Sequence, residues 1–227
     1  MIWSDKGILL SKLAFQENSI IANFFTKNHG KCSGIIYGAT SKKIKNYLQN
    51  GNELFLEYSS KNENALGYFK VEIINPYSSK FFYESKKLNC IVSMLELIKT
   101  LTVDGQENIK IYQLIKDLFD LLNKNDWFVK YVFWELDLLK FVGFDLNIKN
   151  FCKNEIINEK KVYFVENSFK KIIVPNFLVE KCDVEKISNK DIYNSLYLIG
   201  EYMKKNIFVP NNVNIPISRQ NFMNYFK

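Results

Sequence analysis

Arginine is almost missing from this 227-residue chain: of 31 basic side chains, Arg219 is the one guanidinium and the rest are lysines. Lysine, asparagine and isoleucine are abundant, the bias expected when nucleotide composition presses on codon choice. The net charge of +7 and pI near 9.0 therefore fit an anionic partner without establishing one. His29 is the only histidine, and no serine, cysteine or carboxylate pair beside it builds a catalytic triad. The four cysteines, Cys32, Cys90, Cys152 and Cys182, contain no CxxC pair, and a chain of this length is not a disulfide scaffold. No stretch approaches the ~18 apolar residues of a membrane span, and no basic leader with an apolar run opens the chain. These absences predict a cytoplasmic protein with reduced thiols and no membrane association. The glycine loop of Walker type, HExxH and GxSxG are all missing, so an enzyme reading has no support.

What is present is 47% hydrophobic residues, enough for a buried core. The organising stretch is residues 5–45, which predicts strands at 6–14, 20–26 and 31–38. Ile20, Ala22, Phe24 and Thr26 alternate with Ile21, Asn23 and Phe25, the period of a sheet. His29-Gly30 reads as a two-residue turn and 39–47 as a lysine-rich loop. Asn50-Gly51 marks a further turn before strands at 53–58 and, beyond the polar stretch 59–64, at 66–74. Five short strands with Gly34, Gly38 and Gly67 among them suit a small bent barrel, and the oligonucleotide-binding (OB) barrel is the leading candidate. Asn75-Pro76 ends the last strand, so the first domain is placed at residues 1–78.

From residue 79 onward the period lengthens. Leu88, Ile91, Val92, Leu95, Ile98 and Leu101 predict one helix, and Ile111, Leu114, Ile115, Leu118, Leu121 and Leu122 a second. A third, opened by Asp126 and stopped by Gly143, is apolar over most of its circumference, with only Lys130, Asp137 and Lys140 making a polar strip. Such a helix belongs at the centre of a bundle. Residues 145–182 hold a short hairpin at 162–165 and 171–174. Ser188 to Asp191 reads as a capping box before a helix at 192–205. The tail, with Phe222, Met223, Tyr225 and Phe226, is expected to dock as a short helix. The fold class is thus α+β: a five-stranded OB barrel followed by a helical domain at 79–227.

Between residues 27 and 45 stand Lys27, Lys31, Lys42, Lys43 and Lys45 and no acid, a pattern suited to phosphate contacts or to a solvated loop in a lysine-rich chain. Tyr37, Tyr47, Phe55 and Tyr58 are either base-stacking rings or barrel core. Tyr37 and Tyr47 are the better stacking candidates, and Phe55 reads as core. His29 has a conformational role in its turn, Cys32 reads as an inert buried thiol, and Glu135 as a hydrogen-bonded structural carboxylate.

Lys6-Gly7-Ile8-Leu9-Leu10, Phe25-Thr26-Lys27-Asn28-His29-Gly30-Lys31, Ser33-Gly34 and Tyr37-Gly38-Ala39 resemble the amino-terminal domain of the RecO family of recombination mediators. Trp127 to Asp145, with Tyr131, Glu135, Leu138, Leu139, Gly143 and Phe144, resembles the central helix of that family's second domain. The resemblance implies a non-catalytic protein that binds single- and double-stranded DNA and anneals complementary strands. It implies work with RecR to load RecA onto strands coated by single-stranded-DNA-binding protein (SSB), in the cytoplasm at the nucleoid. It favours the phosphate-contact reading of Lys27, Lys31, Lys42, Lys43 and Lys45, with Tyr37 and Tyr47 beside them. It also implies a pocket for the acidic, aromatic-ended SSB tail, for which Lys124, Trp127, Lys130, Tyr131 and Lys140 are the candidates. Many relatives carry a four-cysteine zinc site in the second domain. Here Cys152 and Cys182 stand alone in the corresponding 145–182 region, so no metal or other cofactor is expected and apolar packing should hold that segment. Two rival readings are an OB-type RNA-binding module in translation or RNA processing, and a protein scaffold whose charge reflects composition alone.

Overall fold

Five strands, β1 (Ile2–Gln16), β2 (Ser19–Thr26), β3 (Gly30–Tyr37), β4 (Glu53–Ser59) and β5 (Gly67–Asn75), close into a barrel in the order β1-β2-β3-β5-β4. All pairings are antiparallel except β3 with β5. A short helix, α1 (Lys42–Tyr47), lies between β3 and β4. The computed structural model describes residues 1–62, 65–157, 159–167 and 170–227, in two compact units, Met1–Lys116 and Asp117–Lys227. Parts of the predicted polar stretch 59–64 and of the 145–182 segment thus lie outside the described residues.

Alternation fills the barrel. Leu9, Ala22, Phe24, Ile36, Leu54, Leu56 and Phe69 form its interior. Register shifts in β1 between Leu9 and Ser11 and between Ala14 and Gln16 bend the strand far enough to pair on both edges. Closure occurs where Gly34 pairs with Gly67. A Cβ on Gly34 would sit 2.6 Å from the Phe69 ring, and one on Gly67 2.4 Å from the Tyr58 ring, so only glycines allow the two strands to meet there. Ile8 and Phe25, register partners one step from Leu9 and Phe24, face away from the interior yet are fully buried. Helix α2 (Ser85–Leu101) packs on β1 and forms a second layer within this unit. Phe55, expected in the core, is one of the outward residues of β4 because Leu54 and Leu56 take the interior.

Helix α3 (Ile109–Leu121) spans the division between the units. In the second unit, α4 (Trp127–Phe141) buries Trp127, Val129, Tyr131, Val132, Trp134, Glu135, Leu138 and Leu139, as a helix apolar nearly all round should. It packs against α6 (Asn189–Met203), below. Between them lie α5 (Ile148–Phe151) and a three-stranded antiparallel sheet of β6 (Lys153–Ile157), β7 (Lys160–Asn167) and β8 (Lys170–Val174). The hairpin read from the sequence is β7–β8; β6, exposed along its length, gave no alternation to read. Tyr163, Phe164, Val174, Phe177 and Leu178 are buried in this segment, and Lys153–Glu166 and Lys171–Glu155 pair across its strands. Ser188 and Asp191 make the reciprocal capping box that opens α6. The chain ends in α7 (Ile217–Met223), with Phe222 and Phe226 buried against the α4 aromatics.

Candidate nucleic-acid interface

The β2–β3 turn is three residues, Lys27 to His29, rather than two, with Gly30 at φ +63° completing it. Any Cβ at Gly30 would also lie 2.1 Å from the Gln106 carbonyl oxygen. Asp5 fastens the turn: its carboxylate accepts from the Asn28 backbone N–H (2.7 Å) and side-chain amide (2.9 Å), and contacts His29 Nδ1 at 3.0 Å. The imidazole stacks on Trp3 at 4.1 Å between centroids, and Trp3 stacks in turn on Tyr58. His29 is thus a structural part of the turn. Cys32 donates to the His29 carbonyl, and burial pushes its thiol up to about 11, which suppresses the reactive thiolate. Lys27 stands exposed at the tip.

Lys31 departs from expectation. Its ammonium donates to the carbonyls of Lys99 (2.8 Å) and Thr102 (2.7 Å) and pairs with Asp104 at 3.2 Å, leaving the side chain 12% exposed. It ties β3 to the end of α2 and has no donor to offer a phosphate.

The predicted loop at 39–47 contains α1. Ser41 caps it, its hydroxyl accepting from the Ile44 N–H, and Ile44 leans on the barrel core. Lys42, Lys43 and Lys45 are exposed, and among the described residues none pairs with a carboxylate. Tyr47 is half-buried with its ring against the barrel core, so it is not the open stacking ring expected. Tyr37 is 59% exposed and lies 6.4 Å from the Tyr68 ring, also exposed. A residue outside the sequence window joins this group. Lys12 on β1 donates to the Leu48 carbonyl and lines a 220 Å³ hollow with Ile20, Ala39, Thr40, Lys45 and Leu48. Burial, with Lys45 nearby, lowers its pKa. The β1–β2 turn is held to the same place by Asn18, whose side-chain oxygen accepts from Thr40. The barrel thus carries Lys12 and Lys45 at one hollow, with Lys42 and Lys43 exposed on the same short helix as Lys45, a surface able to neutralise neighbouring phosphates.

The second-unit candidates do not form one pocket. Trp127 and Tyr131 are buried, their rings against Phe222, and cannot meet a partner. Lys130 pairs with Asp126 at 2.6 Å, while Lys124 and Lys140 are exposed. A groove of about 560 Å³ does open beside α4, between Val129, Phe133, Phe177 and Leu178, with Lys130, Lys149 and Lys181 around it. Glu135, whose role the sequence left as structural, holds a bidentate pair with Arg219 at 2.7 to 3.2 Å in the buried centre of this unit. Among the described residues no three His, Cys, Asp or Glu side chains gather in a way that could hold a metal ion, and no helix is long and apolar enough to cross a membrane.

A closed five-stranded mixed barrel with a lysine-bearing helix between its third and fourth strands, followed by a largely helical region, defines an OB-type protein. Comparison with known families is specific. The profile for Recombination protein O N terminal matches residues 1–77, and that for Recombination protein O C terminal matches 84–220. The DNA repair protein RecO of Rickettsia canadensis is 28% identical over 235 residues, covering 97% of this chain and 95% of that protein. That of Rickettsia typhi is 29% identical over 233 residues, covering 97% of each. The chain belongs to the RecO family of DNA repair and recombination proteins, which are recombination mediators and not enzymes.

Proposed function

We propose that this protein binds single- and double-stranded DNA through its barrel and anneals complementary strands. With RecR, it would help load RecA onto SSB-coated single strands in the cytoplasm, at the nucleoid. The observation that carries this reading is the meeting of Lys12 with Lys45 at one hollow of a closed barrel, with Lys42 and Lys43 on the same short helix and the three α1 lysines lacking acidic partners among the described residues. Contacts from ammonium groups to phosphates are independent of sequence, as annealing of arbitrary strands requires. They also leave base edges available for pairing. In this division of labour, residues 1–78 handle DNA and 79–227 meet proteins. The acidic tail of SSB fits the groove beside α4: Phe133 and Phe177 offer apolar surface, and Lys149 and Lys181 carry charge that no acid pairs with among the described residues.

The test is a titration of labelled single-stranded and duplex DNA at several salt concentrations, with strand annealing followed in parallel. Changing Lys42, Lys43 and Lys45 together to Gln should flatten the plot of log affinity against log salt by about 2 on single strands, at roughly 0.7 per phosphate contact. The same variant should slow annealing. An unchanged slope would remove α1 from the DNA site.

A further inference from the structure

The outward face of the barrel carries a row that a solvated sheet should not have. Leu13 on β1 pairs with Ile21 on β2, Ile21 with Ile35 on β3, and Ile35 with Tyr68 on β5. Four consecutive strands thus present an apolar side chain at the same level. All four point away from the interior, because their neighbours Ala22, Ile36 and Phe69 fill it. Leu13 is 71% and Tyr68 42% exposed. Tyr37, one turn of the pleat beyond Ile35, adds a ring exposed beside that of Tyr68. A sheet face open to water normally alternates to polar residues, and an exposed apolar patch of this kind marks a contact surface.

Two further observations bear on what the row contacts. The level on one side is polar, with Ser11, Asn23 and Ser33, and on the other Gln16 and Ser19 lead across to Tyr37. Next to the row stands positive charge. The strand β3 ends at Tyr37, and α1, which carries Lys42, Lys43 and Lys45, begins five residues on. Apolar and aromatic surface beside unpaired ammonium groups complements a strand whose bases are unstacked and whose backbone is anionic.

We propose that Leu13, Ile21, Ile35, Tyr37 and Tyr68 form a stacking platform for the bases of single-stranded DNA, distinct from the lysines that contact phosphates. This rests on the reading of the barrel as the DNA-binding unit and divides that site in two. At ~4.8 Å between strands, the row is roughly 14 Å long, room for a few bases. A duplex keeps its bases inside its own stack, so it engages the lysines and leaves the row bare. The row therefore makes the protein prefer single strands, while the lysines serve both forms.

The experiment uses the full chain carrying Leu13→Ser, Tyr37→Ser and Tyr68→Ser together, all at exposed positions. A second variant carries Tyr37→Phe and Tyr68→Phe, which keep the rings. Single-strand and duplex affinities are measured at several salts, with circular dichroism to verify folding and sedimentation to follow self-association. The serine variant should bind single strands at least about tenfold more weakly. It should keep duplex affinity within about twofold and show an unchanged salt slope. The phenylalanine variant should bind both as the parent does. Equal losses on single strand and duplex, or no loss on either, would overturn the platform, as would a serine variant altered only in self-association. If the parent itself bound no DNA, the reading beneath the proposal would fail first, and that result is distinguishable from the others.

Discussion

Arg219 and Glu135 form the most demanding interaction in the molecule, and its strength can be reckoned from the geometry. The two side chains are 3% and 0% exposed. Arg219 Nε donates to both carboxylate oxygens at 3.0 and 3.2 Å, and Nη2 donates to Oε2 and to the Leu196 carbonyl, each at 2.7 Å. Burial alone would lower the guanidinium pKa, but the Glu135 carboxylate more than compensates and raises it, so Arg219 keeps its charge. Arg219→Met leaves a carboxylate out of reach of water and a carbonyl without its donor. Removing one member of such a pair costs about 3–5 kcal/mol, against a total stability of roughly 5–15. With a urea dependence of about 1–3 kcal/mol per molar, the unfolding midpoint should fall by roughly 1–5 M. Lysine at 219 should recover only part of this, because one ammonium cannot bridge both oxygens and Leu196 together. Replacing both members, Glu135→Leu with Arg219→Met, should cost far less than the sum of the single changes, since no charge is then left buried. Trp127 and Trp134 lie in the same unit, so tryptophan fluorescence in a Trp3→Phe background reports its unfolding. A loss under about 1 kcal/mol for Arg219→Met, or additive losses in the double variant, would refute the reasoning.

Lys31→Met should destabilise the first unit by about 1–3 kcal/mol by leaving the Lys99 and Thr102 carbonyls without their donor. It should leave the salt slope of DNA binding unchanged, and a fall in that slope would return Lys31 to the interface. Glu53 is 1% exposed, and burial would raise its pKa. Hydrogen bonds from Tyr112, Asn75 and Lys116 outweigh burial and hold it below the ordinary 4.5. Its stabilising contribution is therefore full above pH 4.5 and lost as pH falls through the depressed value. Denaturation measured from pH 3 to 7 should show an acid limb that Glu53→Gln flattens. Among the thiols, exposed Cys182 should react rapidly with an aromatic disulfide reagent at pH 8, and half-buried Cys32, raised to about 11, slowly or not at all. Comparable rates at the two positions would contradict the burial argument.

How much of this was legible in the sequence depends on the range over which each feature is decided. Alternation in β2 and β3 gave the barrel, and the nearly all-round apolar character of α4 gave the second core, because local period sets which face is buried. The capping box at Ser188 was legible for the same reason. Phe55 was misread although the rule for it was present: with Leu54 and Leu56 inward, parity puts Phe55 outside. Lys31 is different in kind. Parity places it on the outer side with its partner Phe25, but whether the outside is water or a second layer depends on the end of α2, 68 residues further on. No window around Lys31 contains that information. Lys12 was missed by the converse error, since it lies 33 residues before Lys45 along the chain and beside it in the fold.

The charge density that matters to a polyanion is a density in space, and counting along the chain misassigns both lysines. The count from 27 to 45 included an ammonium satisfied by backbone carbonyls, that of Lys31, and left out that of Lys12, which lines the hollow beside Lys45. The apolar row escaped for a related reason. Leu13, Ile21, Ile35 and Tyr68 each look like an ordinary outward residue of one strand, and register alone brings them to one level. Register is fixed by the β1 bulges and by the closing approach of Gly34 and Gly67. A bulky residue at either glycine would shift it, scattering the row and the lysines together while leaving the hydrophobic pattern of every strand intact. If the platform and the cation cluster are parts of one DNA site, Gly67→Val should therefore weaken single-strand and duplex binding alike. Leu13→Ser, Tyr37→Ser and Tyr68→Ser should separate the two.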